Sequence, residues 1–293
     1  MLVLTPSPTA QRVTAEIDAA RRSGPLQRLI VPPCPDRLVQ LRAAVSAPEP
    51  DLAAVARIAA SDVAMAASLL TAANSAEWAH AQPARTVGQA LDRLGLDETA
   101  QRMTAFIARN ALRVNHPQLQ GFWEQSGERA RVLAFLARQL PGVSVDVAYT
   151  FGLFCHVGIP VLMQCVRGYA ATLVEAAARR DRSFVATESA NHRTDHAETG
   201  ALVARVWNLA PQAMVAIRLH HQLECLQDNR LEPDLRTLLA AGLVADHLMR
   251  RALDLPPERD WTDHGSRALR WLQVDEDVVE QWAWQLEDSA TQR

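Results

Sequence analysis

The chain has 293 residues, 48% of them hydrophobic, enough for one large domain or two ordinary ones with buried cores. All thirty basic residues are arginine; without lysine there is no phosphate-binding loop ending in Gly-Lys-Ser/Thr and no Schiff-base chemistry, because arginine is permanently charged and cannot act as a base near neutral pH. Thirty-three acidic residues bring the net charge to −3, so neither nucleic acid nor an anionic membrane is an expected partner.

Cys34, Cys155, Cys165 and Cys225 form no Cys-x-x-Cys pair, which disfavours a zinc knuckle or redox dithiol and fits a reduced, cytoplasmic chain. The opening Met1-Leu-Val-Leu-Thr-Pro lacks the basic and long apolar regions of an export signal. Few aromatics, with much Ala, Leu, Val and Arg, favour helices over sheets.

The apolar spacing predicts an amphipathic helix over 8–22, stopped at Ser23-Gly24-Pro25. Leu29-Ile-Val-Pro-Pro-Cys-Pro35 is then extended, since each proline removes a donor and restricts the residue before it. Helices follow over 36–44, 51–60 and 62–73, each opened by an aspartate suited to a cap or first turn, and Val63, Ala66, Leu70 and Ala73 form one apolar stripe in the third. Helices over 86–94 and 97–112 complete a first block, and His116-Pro117-Gln-Leu-Gln-Gly121 breaks the pattern.

Beyond it comes a long helix over 122–139. Residues 147–166 carry no charge and approach the length of a bilayer span, yet His156, Gln164, Gly152, Gly158 and Pro160 favour a buried core segment. Further helices are predicted over 169–179, 184–191, 195–207, 211–223 and 231–253, with one or two more to the end. The fold expected is all-α: an N-terminal helix and linker (1–28), two helical blocks (29–115 and 118–250), and a C-terminal helical extension (251–293).

Histidine supplies most of the candidate chemistry. Asp195-His-Ala-Glu198 reads as a capping box, with Glu198 reaching back, and places His196 on one helix face with Gly200, Val203 and Trp207; Gly200 would let a second helix come close. Pro211 opens a helix ending in His220-His221. His196, His220 and His221 either converge on a metal or phosphate, or are two helix-face histidines and one capping its own last turn. Cys155-His156, expected as adjacent residues on a helix and so about 100° apart, would be zinc ligands, or a small apolar group beside a hydrogen-bonded core histidine. Arg129, Arg167 and Arg218 are available as phosphate forks, or as ordinary salt-bridged cations. Trp261, Trp271, Trp282 and Trp284 either form a recognition surface or pack a terminal helix onto its own domain.

An ordered set of motifs from Leu29 to Arg250 resembles the HDOD family, bacterial signalling modules related to the HD phosphohydrolases. It comprises Pro32-Pro33 and Pro35; Ile58-Ala-Ala-Ser-Asp62; Leu69-Leu-Thr-Ala-Ala-Asn74-Ser75; Leu94-Gly95-Leu96; Phe122-Trp123-Glu-Gln125-Ser126; Gly152-Leu-Phe-Cys155-His156-Val-Gly158-Ile159; and Asp195-His196, Gly200, Trp207, Pro211, His220-His221 and Ala245-Asp246. The resemblance implies an HD-like helical bundle with an additional N-terminal helical subdomain. HD hydrolases hold metals with a His, a His-Asp pair and a later Asp, which activate water and clamp a phosphate. Here those positions read Gln125, Cys155-His156 and Asp246, and no Gly-Tyr-Pro follows the paired histidines. The resemblance therefore implies a degenerate site, with no catalytic residue, metal or cofactor. The expected role is a non-catalytic regulatory scaffold whose partners are signalling proteins, with self-association left open; a divergent metal-dependent phosphohydrolase or a non-hydrolytic binder of a nucleotide second messenger is the alternative.

Overall fold

Local side-chain chemistry sets most helix starts in the computed structural model, which describes residues 7–75, 82–179 and 181–291; the first six residues, read above for an export signal, lie outside them. Asp51 accepts a hydrogen bond from the Ala54 amide, and Asp62 from those of Ala64 and Met65, opening α3 (Leu52–Ala60) and α4 (Val63–Ala73). Ser7, Thr86, Ser144, Ser183 and Asp195 do the same for α1 (Pro8–Ser23), α5 (Val87–Ala111), α7 (Val145–Phe154), α10 (Phe184–His192) and α11 (His196–Val206). The remaining helices are α2 (Asp36–Val45), α6 (Phe122–Gln139), α8 (Gly158–Cys165), α9 (Tyr169–Ala178), α12 (Pro211–Leu219), α13 (Pro233–Arg251), α14 (Arg259–Leu272) and α15 (Glu276–Thr291). Among the described residues there is no β-strand.

By its internal contacts the chain divides into two units, Met1–Val31 with Val114–Trp284, and Pro32–Arg113 with Gln285–Arg293. In the unit built on Pro32–Arg113, α2 and α4 each pack on α3 and α5. Gly95 breaks α5 with a φ of 78°, a left-handed conformation that glycine adopts without a Cβ clash. Asn74 ends α4 and holds Ala84 through both backbone groups, donating to its carbonyl at 2.9 Å and accepting from its amide at 2.7 Å; Ser75 follows with its amide on the Ala72 carbonyl. The apolar stripe expected in α4 is rotated. Met65, Leu69 and Ala73 are the buried residues, whereas Val63 is 87% exposed, because the cap at Asp62 fixes the first turn and tertiary packing chooses the face.

In the larger unit α6 packs on α7 and α13, α11 on α8 and α12, α1 on α11 and α12, and α14 on α13. Two glycines permit close crossings. A Cβ on Gly158 would lie 2.1 Å from the His196 carbonyl oxygen, and one on Gly200 would meet Ile217 at 2.9 Å. Trp207 is buried, edge-on to Phe154 at 5.7 Å. The uncharged segment is two helices, α7 and α8, and the Val145–Cys165 stretch, apolar and long enough to span a bilayer by composition, is two-thirds buried inside the protein.

Three details differ from the sequence expectations. Cys155-His156 sits in the turn between α7 and α8 rather than on a helix. Helix α12 ends at Leu219 instead of 223, leaving His220-His221 in a turn before a 3₁₀ segment, Leu223–Gln227. Glu198 does not reach back to its cap; it accepts a 2.7 Å hydrogen bond from the Thr194 hydroxyl, a donor one residue earlier that is stronger and freer to orient than the Asp195 amide.

Candidate metal and ligand site

Four histidines from three places in the sequence meet in the larger unit. His156 comes from the α7–α8 turn, His196 from the first position of α11, and His220 and His221 from the turn after α12. One nitrogen from each lies within 4.8 Å of the others. The Gly158–His196 crossing brings the first two together, and Gly200 against Ile217 brings the third strand of the site in.

Each of three rings is oriented through Nδ1. His196 Nδ1 is 2.7 Å from Glu188 Oε2, His220 Nδ1 is 2.7 Å from the Ile217 carbonyl oxygen, and His221 Nδ1 is 2.7 Å from Asp260 Oδ2. Carbonyl and carboxylate oxygens only accept, so these Nδ1 atoms carry protons, which leaves an Nε2 lone pair on each ring that is neutral. The three Nε2 atoms converge: His196 lies 3.3 Å from His220 and 3.2 Å from His221. His156 stacks parallel to His221 with ring centres 6.3 Å apart, and lies edge-on to His196 at 5.1 Å.

Burial, then the charges of Arg129 and the neighbouring rings, pushes His156 well below the usual histidine range, and burial with His221 and His196 does the same to His220. Burial acts the same way on His221 and is its largest single influence, but the hydrogen bond and charge of Asp260, with the charges of Asp246 and Glu188, together outweigh it and raise His221. Glu188 is fully buried, and burial alone would raise its carboxyl; His196 and the Tyr169 hydroxyl, which donates to it, keep it below its usual value.

The positions carried over from the HD pattern fare differently. Gln125 is solvent-exposed on α6 and outside the cluster. Cys155 is buried, and desolvation raises its thiol far above the ordinary range, so it is neither nucleophile nor ready thiolate ligand. Asp246 accepts from Arg129 Nε at 2.7 Å, in a pair whose side chains are 29% and 13% exposed. Arg129 thus pairs with Asp246, and Arg218 with Glu16 of α1 at 2.6 Å; neither is a vacant phosphate fork, while Arg167 is exposed. Three of the C-terminal tryptophans pack internally: Trp261 stacks on His247 at 3.8 Å, Trp271 donates to Thr237 and lies under Arg236, and Trp282 is buried. Trp284 is 67% exposed.

Sequence reasoning missed Glu188 and Asp260. Glu188 precedes His196 by eight residues on a separate helix, and Asp260 lies in the C-terminal extension, 39 residues after His221. No local pattern joins either to its histidine. Two surface clefts, of about 560 and 350 Å³, are lined by residues of the Pro32–Arg113 unit and by none of these histidines.

The HDOD domain family matches residues 31–223. A crystal structure of an HDOD domain protein of unknown function from Geobacter sulfurreducens is similar with a TM-score of 0.67 at 20% identity, covering 97% of this chain and 95% of that one. One from Marinobacter aquaeolei VT8, provisionally named a signal transduction protein, aligns with a TM-score of 0.72 at 19% identity over 97% of this chain and 66% of its own, and one from Shewanella amazonensis SB2B, provisionally named a phosphohydrolase, with 0.66 at 20% over 98% and 96%. At these identities the likeness shows the shared HD-like helical fold. An uncharacterized protein of Treponema pallidum (strain Nichols) is 24% identical over 194 residues, 66% of this chain but only 38% of that longer protein. The family match spans most of the chain, from the proline-rich entry through the paired histidines, and this chain belongs to the HDOD domain family.

Proposed function

We propose that this HDOD protein is a non-catalytic component of a cytoplasmic signalling system, acting through contacts with partner proteins. The observation that carries the reading is the Arg129–Asp246 pair. Asp246 is the one carboxylate retained from the HD core positions, and a guanidinium holds it at 2.7 Å where a hydrolase would need it on a metal. The bridging carboxylate is replaced by His156, and the preceding ligand by the protonated, buried Cys155. Two-metal activation of water then lacks the oxygen ligands it depends on. The fold shared with the Marinobacter protein provisionally named for signal transduction agrees with this reading.

The convergent histidines favour one alternative, a divergent metal-dependent phosphohydrolase. Incubation of the purified protein with nucleotides and cyclic dinucleotides, in turn with Mg²⁺, Mn²⁺ and Zn²⁺, separates the two. The expected result is no turnover above that of His220→Ala. Metal-dependent hydrolysis abolished in that variant would overturn the signalling reading.

A further inference from the structure

We propose that His156, His196, His220 and His221 hold one zinc-class divalent ion in a closed, all-imidazole site that ties the α7–α8 turn, α11 and the turn after α12 together. The first argument is the pattern of protons. With each Nδ1 donating to Glu188, the Ile217 carbonyl or Asp260, the Nε2 of His196 faces those of His220 and His221 at 3.3 and 3.2 Å; one ring proton satisfies only one of these contacts, whereas a shared cation satisfies all three nitrogens. Carbonyl and carboxylate acceptors behind the rings are also how metal-binding histidines are held in a single tautomer and made more basic.

The second argument is metric. Zinc–nitrogen bonds of about 2.0–2.1 Å in a tetrahedron set neighbouring ligand atoms about 3.3 Å apart. The two contacts that His196 makes, 3.3 Å to His220 and 3.2 Å to His221, match that edge. His156 places a fourth nitrogen no more than 4.8 Å from each of the others, and binding the ion draws it inward toward the edge of about 3.3 Å.

Charge gives the third argument. Arg129 and Asp246 neutralise each other, which leaves Glu188 and Asp260, each hydrogen-bonded to a ligand ring, to balance two positive charges. A set of borderline imidazoles suits zinc, copper or nickel rather than the oxygen-seeking magnesium or calcium. Four protein ligands leave no open position for water, which is the arrangement of a structural rather than a catalytic ion. The proposal departs from the sequence expectation of no metal, and its failure is distinguishable from that of the signalling reading: absence of metal binding would overturn this proposal and leave that reading intact, whereas turnover lost in His220→Ala would overturn that reading and show the ion's coordination to be open.

The test is titration of chelator-stripped protein with Zn²⁺, followed by Co²⁺ as a spectroscopic substitute, with circular dichroism to confirm folding. One equivalent of Zn²⁺ should bind, and Co²⁺ should give the intense visible absorption of a four-coordinate ion. Asp260→Asn should weaken binding about 10–100-fold through the ring it orients, and His196→Gln and His221→Gln should weaken it further. Should His196→Gln fail to fold, His221→Gln and Asp260→Asn decide. Absence of binding, a weak six-coordinate Co²⁺ spectrum, or affinity unchanged in His221→Gln and Asp260→Asn would overturn the proposal.

Discussion

Arg129 and Asp246 form, at the residue scale, the contact on which the proposed lack of turnover rests. Breaking a largely buried ion pair leaves one charge desolvated, so Arg129→Met should cost about 3 kcal/mol, the lower end of the usual range because Asp246 is 29% exposed. Replacing both, as Arg129→Met with Asp246→Leu, should recover most of that loss in denaturant unfolding; a double variant as unstable as the single one would show that the pair does more than balance charge. The histidines predict a pH dependence of the metal-free protein. For His156 and His220 the folded-state values lie below the ordinary 6.5, so between those values and about pH 6.5 the unfolded chain binds more protons. Stability from these two is present above about pH 6.5 and is lost as pH falls. His221 is shifted upward and acts oppositely, adding stability below its unfolded value that is lost as pH rises through its folded one. Two groups outweigh one, so unfolding midpoints should drop between about pH 7 and about pH 5.5; a rise over that interval would contradict the assignment.

At the scale of elements, the helix ends were legible wherever the deciding interaction is local. Asp51, Asp62 and Asp195 cap the helices their positions announce, because a cap joins residues two or three apart. The buried face of α4 was not legible: Val63 and Met65 are equally apolar, and only the surface that α4 meets on α5 and α3 selects Met65. The sequence marks Gly200 as a place of close approach, whereas it marks Gly158 only as part of the uncharged segment and its motif. Gly158→Ala would drive a Cβ to within 2.1 Å of the His196 carbonyl oxygen, so α8 and α11 must separate. The expected cost is about 1–3 kcal/mol or more, accompanied by weaker binding of any ligand shared by His156 and His196; an unchanged melting temperature would mean the crossing is more compliant than its geometry implies. Asn74→Ala removes both hydrogen bonds to Ala84 and should cost about 1–3 kcal/mol by thermal unfolding, with an effect within error showing that the loop is held by other contacts.

For the molecule as a whole, the motifs that carry family membership build helix crossings and turns: Gly158 and Gly200 sit at close crossings and Asn74 ends a helix. The C-terminal extension shows why the candidate site was only partly legible. Of the two roles open to its tryptophans, Trp261, Trp271 and Trp282 take packing, and Asp260, in α14 beside Trp261, also orients His221 from beyond the matched 31–223 span. Contacts between residues so distant in sequence arise from folding and leave no periodic trace. Two proposals meet in one site region, an imidazole site for one ion and an absence of turnover with Asp246 held by Arg129. Metal stoichiometry measured together with phosphodiester turnover on the same zinc-loaded preparation tests both most directly. One ion per chain with no turnover above His220→Ala is the predicted result; two ions, or turnover that disappears in that variant, would contradict it.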